Sequence, residues 1–241
     1  NDYITLYLVT GMGRLRQLGV DLELAPALKA LDHLDAWIEE THRDILKRQT
    51  TAGSSHLTPT IALYLYGRSF FLRDKPIAPA HQAAIDYFLD QARRYAIPMA
   101  VRQSQAHVAL ALHRWGDAET PAAILKSLKE KSVVSDELGR SWREVGASWG
   151  WQDAPIETQA TLIEAFDEIA HDAAVVDGCQ VWLLKQKQTQ DWRTTKATAD
   201  AVYALLRRGR NPLAADQLVE VELGGTPVGP SPARVEPNAK A

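Results

Sequence analysis

The sequence predicts an all-α protein built from serial helical hairpins, and three observations predict it. Apolar residues recur at helical spacing through most of the 241 residues; prolines stand where the periodic runs begin and glycines where they end; the pattern changes character only once, near Asn211. Serial hairpins of this kind form either an open solenoid or a closed ring, the α/α toroid. The runs start at uneven intervals, which argues against a short consensus repeat.

Taken in order, the first stripe is Ile4, Leu8, Met12, Leu15 and Leu18, stopped by Gly19. Leu28, Leu31, Leu34, Ile38, Ile45 and Leu46 follow Pro26. Ile61, Leu65, Phe70 and Phe71 follow Thr58 and Pro59, a threonine cap and a proline at the first helical position, where the missing N–H has no partner anyway. Pro79 opens Ile85, Phe88 and Leu89. Val101, Val108, Leu110 and Leu112 stop at Gly116, and Thr120 with Pro121 repeats the cap-and-proline signal before Ile124 and Leu128. Pro155 opens Ile156, Ala160, Ile163, Phe166 and Ile169; Ala197, Ala201, Val202 and Leu205 close the series before Gly209. The reading is about nine helices of roughly 12 to 20 residues joined by short turns.

Beyond Asn211, "DQLVEVELGGTPVGPSPARVEP" alternates Leu218, Val219, Val221 and Leu223 with Glu220 and Glu222, then gives Gly-Gly and a proline-rich tail. That is a strand, a turn and a linker. A strand so short does not stand alone, so the expected organisation is a helical domain over 1–212, followed by 213–241 as strand and linker leading into a β-sandwich.

The bulk numbers exclude some functions. Twenty-seven basic against 30 acidic residues give a net charge of −3, with no basic stripe for a nucleic acid to meet. No apolar run is long enough to span a bilayer, so no membrane insertion is expected. The single cysteine, Cys179, cannot form an intrachain disulfide. The chain begins at Asn1 inside a helical pattern and reads as a fragment of something longer, which makes the missing targeting signal uninformative.

The turn in "VWLLKQKQTQDWRTTKATADAVYALLRRG" puts one aromatic between two helices. Trp192 is expected to be a packing wedge over the neighbouring helix pair, with Thr194 or Thr195 capping the helix that follows. The spacing from Gln186 to Trp192 resembles the Gln-to-Trp turn of α/α-barrel terpene cyclases. It also resembles the turn before the last helix of the thioester-bearing domain of α2-macroglobulins. "APIETQATLIEAFDEI" after "SWGWQD", and "HVALALHRWGDAETPAAILKSLKEKSVV" turning at glycine, are similar to segments of that second family. Their order, and the exit into "VEVELGG", also resemble it. Over most of 1–223 the chain therefore resembles the C-terminal part of the thioester-domain region of a bacterial α2-macroglobulin-like protein.

The resemblance implies the toroid, a β-sandwich downstream, and a part in trapping proteases. It implies neighbouring β-sandwich domains and attacking proteases as partners, and a periplasmic or cell-surface, membrane-anchored parent. It also implies a helical hairpin or two ahead of Asn1; without them the apolar face of the Ile4–Leu18 helix would be exposed. The family's Cys-x-Glu-Gln thioester motif does not occur in these 241 residues: either it lies upstream of Asn1 or the protein belongs to the thioester-lacking members. Cys179 is followed directly by Gln180, a geometry that cannot close the thioester ring, so no catalytic, cofactor-binding or metal residue is assigned and no cofactor is expected.

Other residues invite chemistry and have plainer readings. Cys179 reads as a small core residue, because no Lys, Arg or His lies nearby in sequence to lower its pKa. His56 in "GSSHLTP" reads as an exposed loop residue. His107 and His113 are on different helix faces and form, with His81, no metal spacing. Asp153, Glu157, Glu164, Asp167 and Glu168 read as helix-start charges and a solvated face. Trp142, Trp149 and Trp151 read as loop packing rather than a sugar platform. The expectation is thus a non-enzymatic helical module of an endopeptidase trap. The alternatives are a toroid carbohydrate-active enzyme, for which Asp153 and Glu157 are the least bad carboxylate pair, and a helical interaction scaffold.

Overall fold

The structure, a computed structural model, describes residues 1–48, 53–143, 154–189, 191–192 and 194–207, and the backbone of 221–223 and 226–228. The chain divides into two compact units, Asn1–Arg208 and Gly209–Ala241. Among the described residues the first holds nine α-helices: α1 (Asp2–Gln17), α2 (Ala25–Lys47), α3 (Pro59–Ser69), α4 (Pro79–Tyr95), α5 (Arg102–Arg114), α6 (Glu119–Glu130), α7 (Pro155–Ala165), α8 (Ala173–Thr189) and α9 (Thr195–Leu206). A π-helical stretch, Phe166–Ala170, continues α7, and His171 ends it in the left-handed region. A hairpin of β1 (Val133–Ser135) and β2 (Gly139–Ser141) separates α6 from α7. In the second unit β3 (Val221–Leu223) pairs antiparallel with β4 (Thr226–Val228), a strand later than the expected turn and tail.

The starts of α3, α4, α7 and α9 follow the expected chemistry, and the start of α6 departs from it. Thr58 caps α3 by accepting from the Ile61 N–H, with Pro59 at the first position. Pro79 and Pro155 likewise open α4 and α7. Thr194, not Thr195, caps α9 through the Ala197 N–H. Thr120 caps nothing. It lies within α6, and Asp117 takes both its N–H and its hydroxyl, because a carboxylate three residues upstream reaches the free amide better. Gly19 and Gly116 follow α1 and α5 with φ of 82° and 89°, as glycines that stop helices do.

Side-chain contacts give the helix directions. Thr10 and Gly13 of α1 meet Gly67 and Phe70, at and just beyond the end of α3. Tyr66 of α3 stacks on His107 of α5, and Arg114 lies over Phe70. Gln103 and Arg114 of α5 reach Thr161 and Glu164 of α7. Glu157 and Glu164 of α7 pair with Lys196 of α9 and Arg207 at its end. In each pair early residues meet early residues, so α1, α3, α5, α7 and α9 run in one direction. The even-numbered helices carry the chain back between them. α2 seats Leu31, Leu34 and Ile38, all fully buried, and packs on α1, α3 and α4.

Two kinds of contact fix these positions. Small residues let backbones approach: a Cβ on Gly13 would lie 2.5 Å from the Phe70 ring and one on Gly67 2.4 Å from Thr10 Oγ1. Gly139, at φ 77°, presses β2 onto α8, where a Cβ would lie 2.3 Å from the Gly178 carbonyl oxygen. The second kind is a buried ion pair. Arg68, fully buried, donates to Asp35 at 3.0 Å and to the Lys75 carbonyl at 2.7 Å, while Tyr64 donates to the same carboxylate at 2.7 Å.

The stripe Ile4, Leu8, Met12, Leu15 and Leu18 is not the packed face of α1. Leu6, Val9, Thr10, Gly13 and Arg14 are buried instead, while Ile4 is 56%, Leu8 61% and Leu15 44% exposed. Close crossing onto α3 needs a face without bulk, and Thr10 stays satisfied by donating to the Leu6 carbonyl at 2.8 Å. Hydrophobic periodicity does not register such a face. Among the described residues no helix is long and apolar enough to cross a membrane.

Replacing Gly139 with alanine is expected to cost about 2 kcal/mol or more, from the left-handed backbone and the collision with the Gly178 carbonyl. Arg68→Ala is expected to cost about 3–5 kcal/mol, by leaving the Asp35 carboxylate buried and unpaired. Urea unfolding of the variants measures both; losses below about 1 kcal/mol contradict these contacts.

Candidate functional site

Polar side chains gather between the odd-numbered helices. Arg14 of α1 donates to the Tyr66 hydroxyl at 2.9 Å and to Asp200 of α9 at 2.5 Å. Tyr66 donates in turn to Glu164 of α7 at 2.5 Å. Arg114, ending α5, binds Glu164 at 2.7 Å and both oxygens of Glu168 at 2.6 and 2.8 Å. Arg207 reaches Glu164 at 3.3 Å, Glu168 at 2.6 Å and Asp167 at 3.4 Å. Tyr203 donates to Gln17, which donates to Glu168 at 3.0 Å. Lys196 pairs with Asp200 and Glu157 and lies over the Tyr7 ring. The π-helical stretch starts directly after Ala165 and contains Asp167 and Glu168; Glu164 lies two residues before its start.

The electrostatics are those of a closed network. Burial alone would raise the Glu168 carboxyl, but hydrogen bonds from Arg114 and the charges of Arg114 and Arg207 outweigh it and hold it at about 2. A group ionised so far into acid is no general acid near neutral pH. Burial pushes the Tyr66 and Tyr203 hydroxyls up, with Glu164 adding to it in both, so they stay protonated donors. Arg14 and Arg114 are held more firmly protonated than usual: their acidic and phenolic neighbours overcome burial. The named carboxylates are committed to cations, an arrangement suited to fixing helices rather than to moving protons.

Beside the network lies a cleft of about 920 Å³ between α1 and α9. Leu8, Met12, Leu15, Val202 and Leu206 line it together with Arg14, Asp200 and Trp192. Across it α1 and α9 are joined by the long side chains already described, and their backbones stay apart.

The residues singled out in sequence fare differently. Cys179 is fully buried and burial pushes its thiol up to about 12, so it is an unreactive core residue, as expected. Trp192 is buried and folds back on α8, its indole N–H donating to the Leu183 carbonyl at 3.2 Å. Trp142 also packs, donating to the Leu128 carbonyl at 2.7 Å and stacking on Phe166. His56 is not an exposed loop residue: its ring bonds and stacks on Tyr87, and its N–H donates to Gln91, because the loop folds onto α4. Glu157, Glu164 and Glu168 are not a solvated face either. Glu157 is 7% and Glu164 0% exposed, held inside by Lys196, Arg114 and Arg207. Asp153, Trp149 and Trp151 lie outside the described residues, so Glu157 is seen without its companion carboxylate. Among the described residues His81 bonds Glu39, and no group of three His, Cys, Asp or Glu could hold a metal ion.

Sequence reasoning missed Arg14, Tyr66, Arg114, Asp200 and Arg207. One signal was available: Asp200 interrupts the small apolar face Ala197, Ala201 and Ala204, a position where a lone charge must find a buried partner. Neither a protein-family model nor a curated protein matches this chain.

Because Glu168 is held below its ordinary value, it contributes stability above about pH 4.5 that is lost as pH falls towards about 2. The contribution is about 3 kcal/mol by linkage. Glu168→Gln should flatten the acid limb of stability against pH by that order, measured by urea unfolding between pH 7 and 3. An unchanged limb contradicts the network.

Proposed function

We propose that the chain is a non-catalytic helical module of a bacterial α2-macroglobulin-like protease trap, folded as an α/α toroid and followed by a β-sandwich. The observation that carries the toroid is the course of the odd-numbered helices. All five run in one direction, each joined to the next, and the last is hydrogen-bonded back to the first through Arg14–Asp200 and Gln17–Tyr203. An open solenoid gives its first and last repeats no reason to meet. The family itself rests on the ordered resemblance of the segments around His107–Val134, Ala154–Ile169 and Gln186–Trp192 to the thioester-domain region.

In this reading the module acts sterically. Bait cleavage elsewhere in the parent changes the packing between modules and encloses or tethers the attacking protease. The helical ring, locked by its inner ion pairs, is a rigid body for neighbouring β-sandwich domains to pack on. The parent works in the periplasm or at the cell surface. Cys179, buried and followed directly by Gln180, takes no part in covalent capture. The open apolar cleft favours a second reading, that of an interaction scaffold whose partner is not a protease.

Incubation of the full-length parent with a broad-specificity protease tests the proposal. Cleavage of a small chromogenic peptide should continue while cleavage of a large protein substrate falls several-fold. The isolated 241-residue chain should fold and leave both activities unchanged. Loss of neither activity with the parent, across a panel of proteases, sinks the trap and leaves the scaffold. Inhibition by the isolated chain contradicts a modular mechanism.

A further inference from the structure

The same network holds one group that none of its pairings uses. His107, in the middle of α5, is 5% exposed, and its Nε2 is buried with no hydrogen-bond partner among the described residues. Its ring stacks on Tyr66 at 4.7 Å between centroids. Arg14 and Arg114 lie at 5.4 and 5.2 Å from the centroid of that same tyrosine ring. We propose that His107 is an acid-sensitive release for the junction between α1 and α9. The proposal stands whether or not the chain belongs to a protease trap.

The surroundings of His107 are one-sided. Arg14 from α1, Lys196 from α9 and Arg114 from α5 itself act on it, and all three are cations. From α3 it meets the neutral Tyr66, and Glu164 of α7 joins the cluster through the Tyr66 hydroxyl. From α4 and α6, also packed on α5, no charge acts on it among the described residues. A proton placed on this imidazole at Nε2 in the closed structure finds no counter-ion among the described residues. Burial and these three cations, burial first, hold it neutral well below the usual histidine range.

Arg14 connects this histidine to the junction. Its guanidinium lies over Tyr66 and Tyr203 and spans from Tyr66 to Asp200, so it is both a repulsive neighbour of a charged His107 and the tie between α1 and α9. When α1 lifts away, one cation withdraws and water reaches the ring. The opened form, solvated and short of one cation, takes up a proton closer to the ordinary histidine value near pH 6.5, while the closed form does not. The sign follows. The closed junction is unaffected well above about pH 6.5; below it acidification raises the opening constant, about fivefold over the first pH unit and approaching tenfold per unit after that, until the carboxylates begin to titrate near pH 4.5.

Hydrogen exchange of the 241-residue chain between pH 7.5 and 5.0, read by mass spectrometry and corrected for the intrinsic rate at each pH, tests this. Opening constants of peptides from α1 and α9 should rise about fivefold from pH 6.5 to 5.5, with peptides of α2 and α4 unchanged. His107→Gln, which cannot charge, should abolish the rise. His107→Phe, which keeps the stack on Tyr66, provides the same comparison if the glutamine variant folds poorly. A flat wild-type profile overturns the proposal, as does a rise that persists in both variants. So does a rise shared equally by all helices, which is global acid unfolding and not release of one junction.

Discussion

Five helices running side by side in one direction bring the same ends of their dipoles together, and that constraint shapes the centre of the molecule. Gln17, Ser69, Arg114, Glu164 with Glu168, and Arg207 all sit at or near C-terminal ends, where unpaired carbonyls concentrate negative charge. Two carboxylates in that place are tolerable only beside strong cations. Arg114 and Arg207 supply them, each reaching both Glu164 and Glu168, and Arg14 extends the set through Tyr66 to Asp200. Arginine suits the task because its planar fork serves several acceptors at once.

The cost of burying these charges is met by the number of bonds each makes, rather than by any single strong pair. Removing one member would leave others stranded, so the network specifies a unique arrangement of helices even where it adds little net stability. Elsewhere the helices are positioned by contacts that need no charge. Gly13 and Gly67 set the crossing of α1 on α3, and the fully buried stripe of α2 sets its seat. The junction between α1 and α9 differs. It is bridged by long polar side chains over an apolar cleft, with little backbone contact beneath them, and so depends on the protonation and partners of those side chains.

Much of the helical course was legible in sequence, since proline, threonine and glycine act locally. Thr58 with Pro59, Pro79, Pro155, Gly19 and Gly116 stand where helices begin or end, because φ restriction, a missing N–H and a short hydroxyl act within one turn whatever surrounds them. Cys179 could be read as inert for a similar reason: an apolar helix face with no neighbouring cation predicts a buried thiol. The β1–β2 hairpin and the π-helical stretch gave no such local signal. Each is held by distant partners, Gly139 by the Gly178 carbonyl and the stretch after α7 by Arg114 and Arg207.

The sequence by itself determined that this chain is helical, where most of its helices start and stop, and that its lone cysteine is quiet. Tertiary structure alone decided which face of α1 is inside. Aliphatic bulk favours one stripe, but close crossing on α3 selects the face of Thr10 and Gly13 and leaves Leu8 and Leu15 outside. It also decided that Glu157, Glu164 and Glu168 are interior. Their charge predicts solvent, and only arginines and a lysine brought from other helices make burial tolerable. Residues 186 positions apart in the chain, Arg14 and Asp200, carry that decision, and no local pattern records a pairing at such a distance.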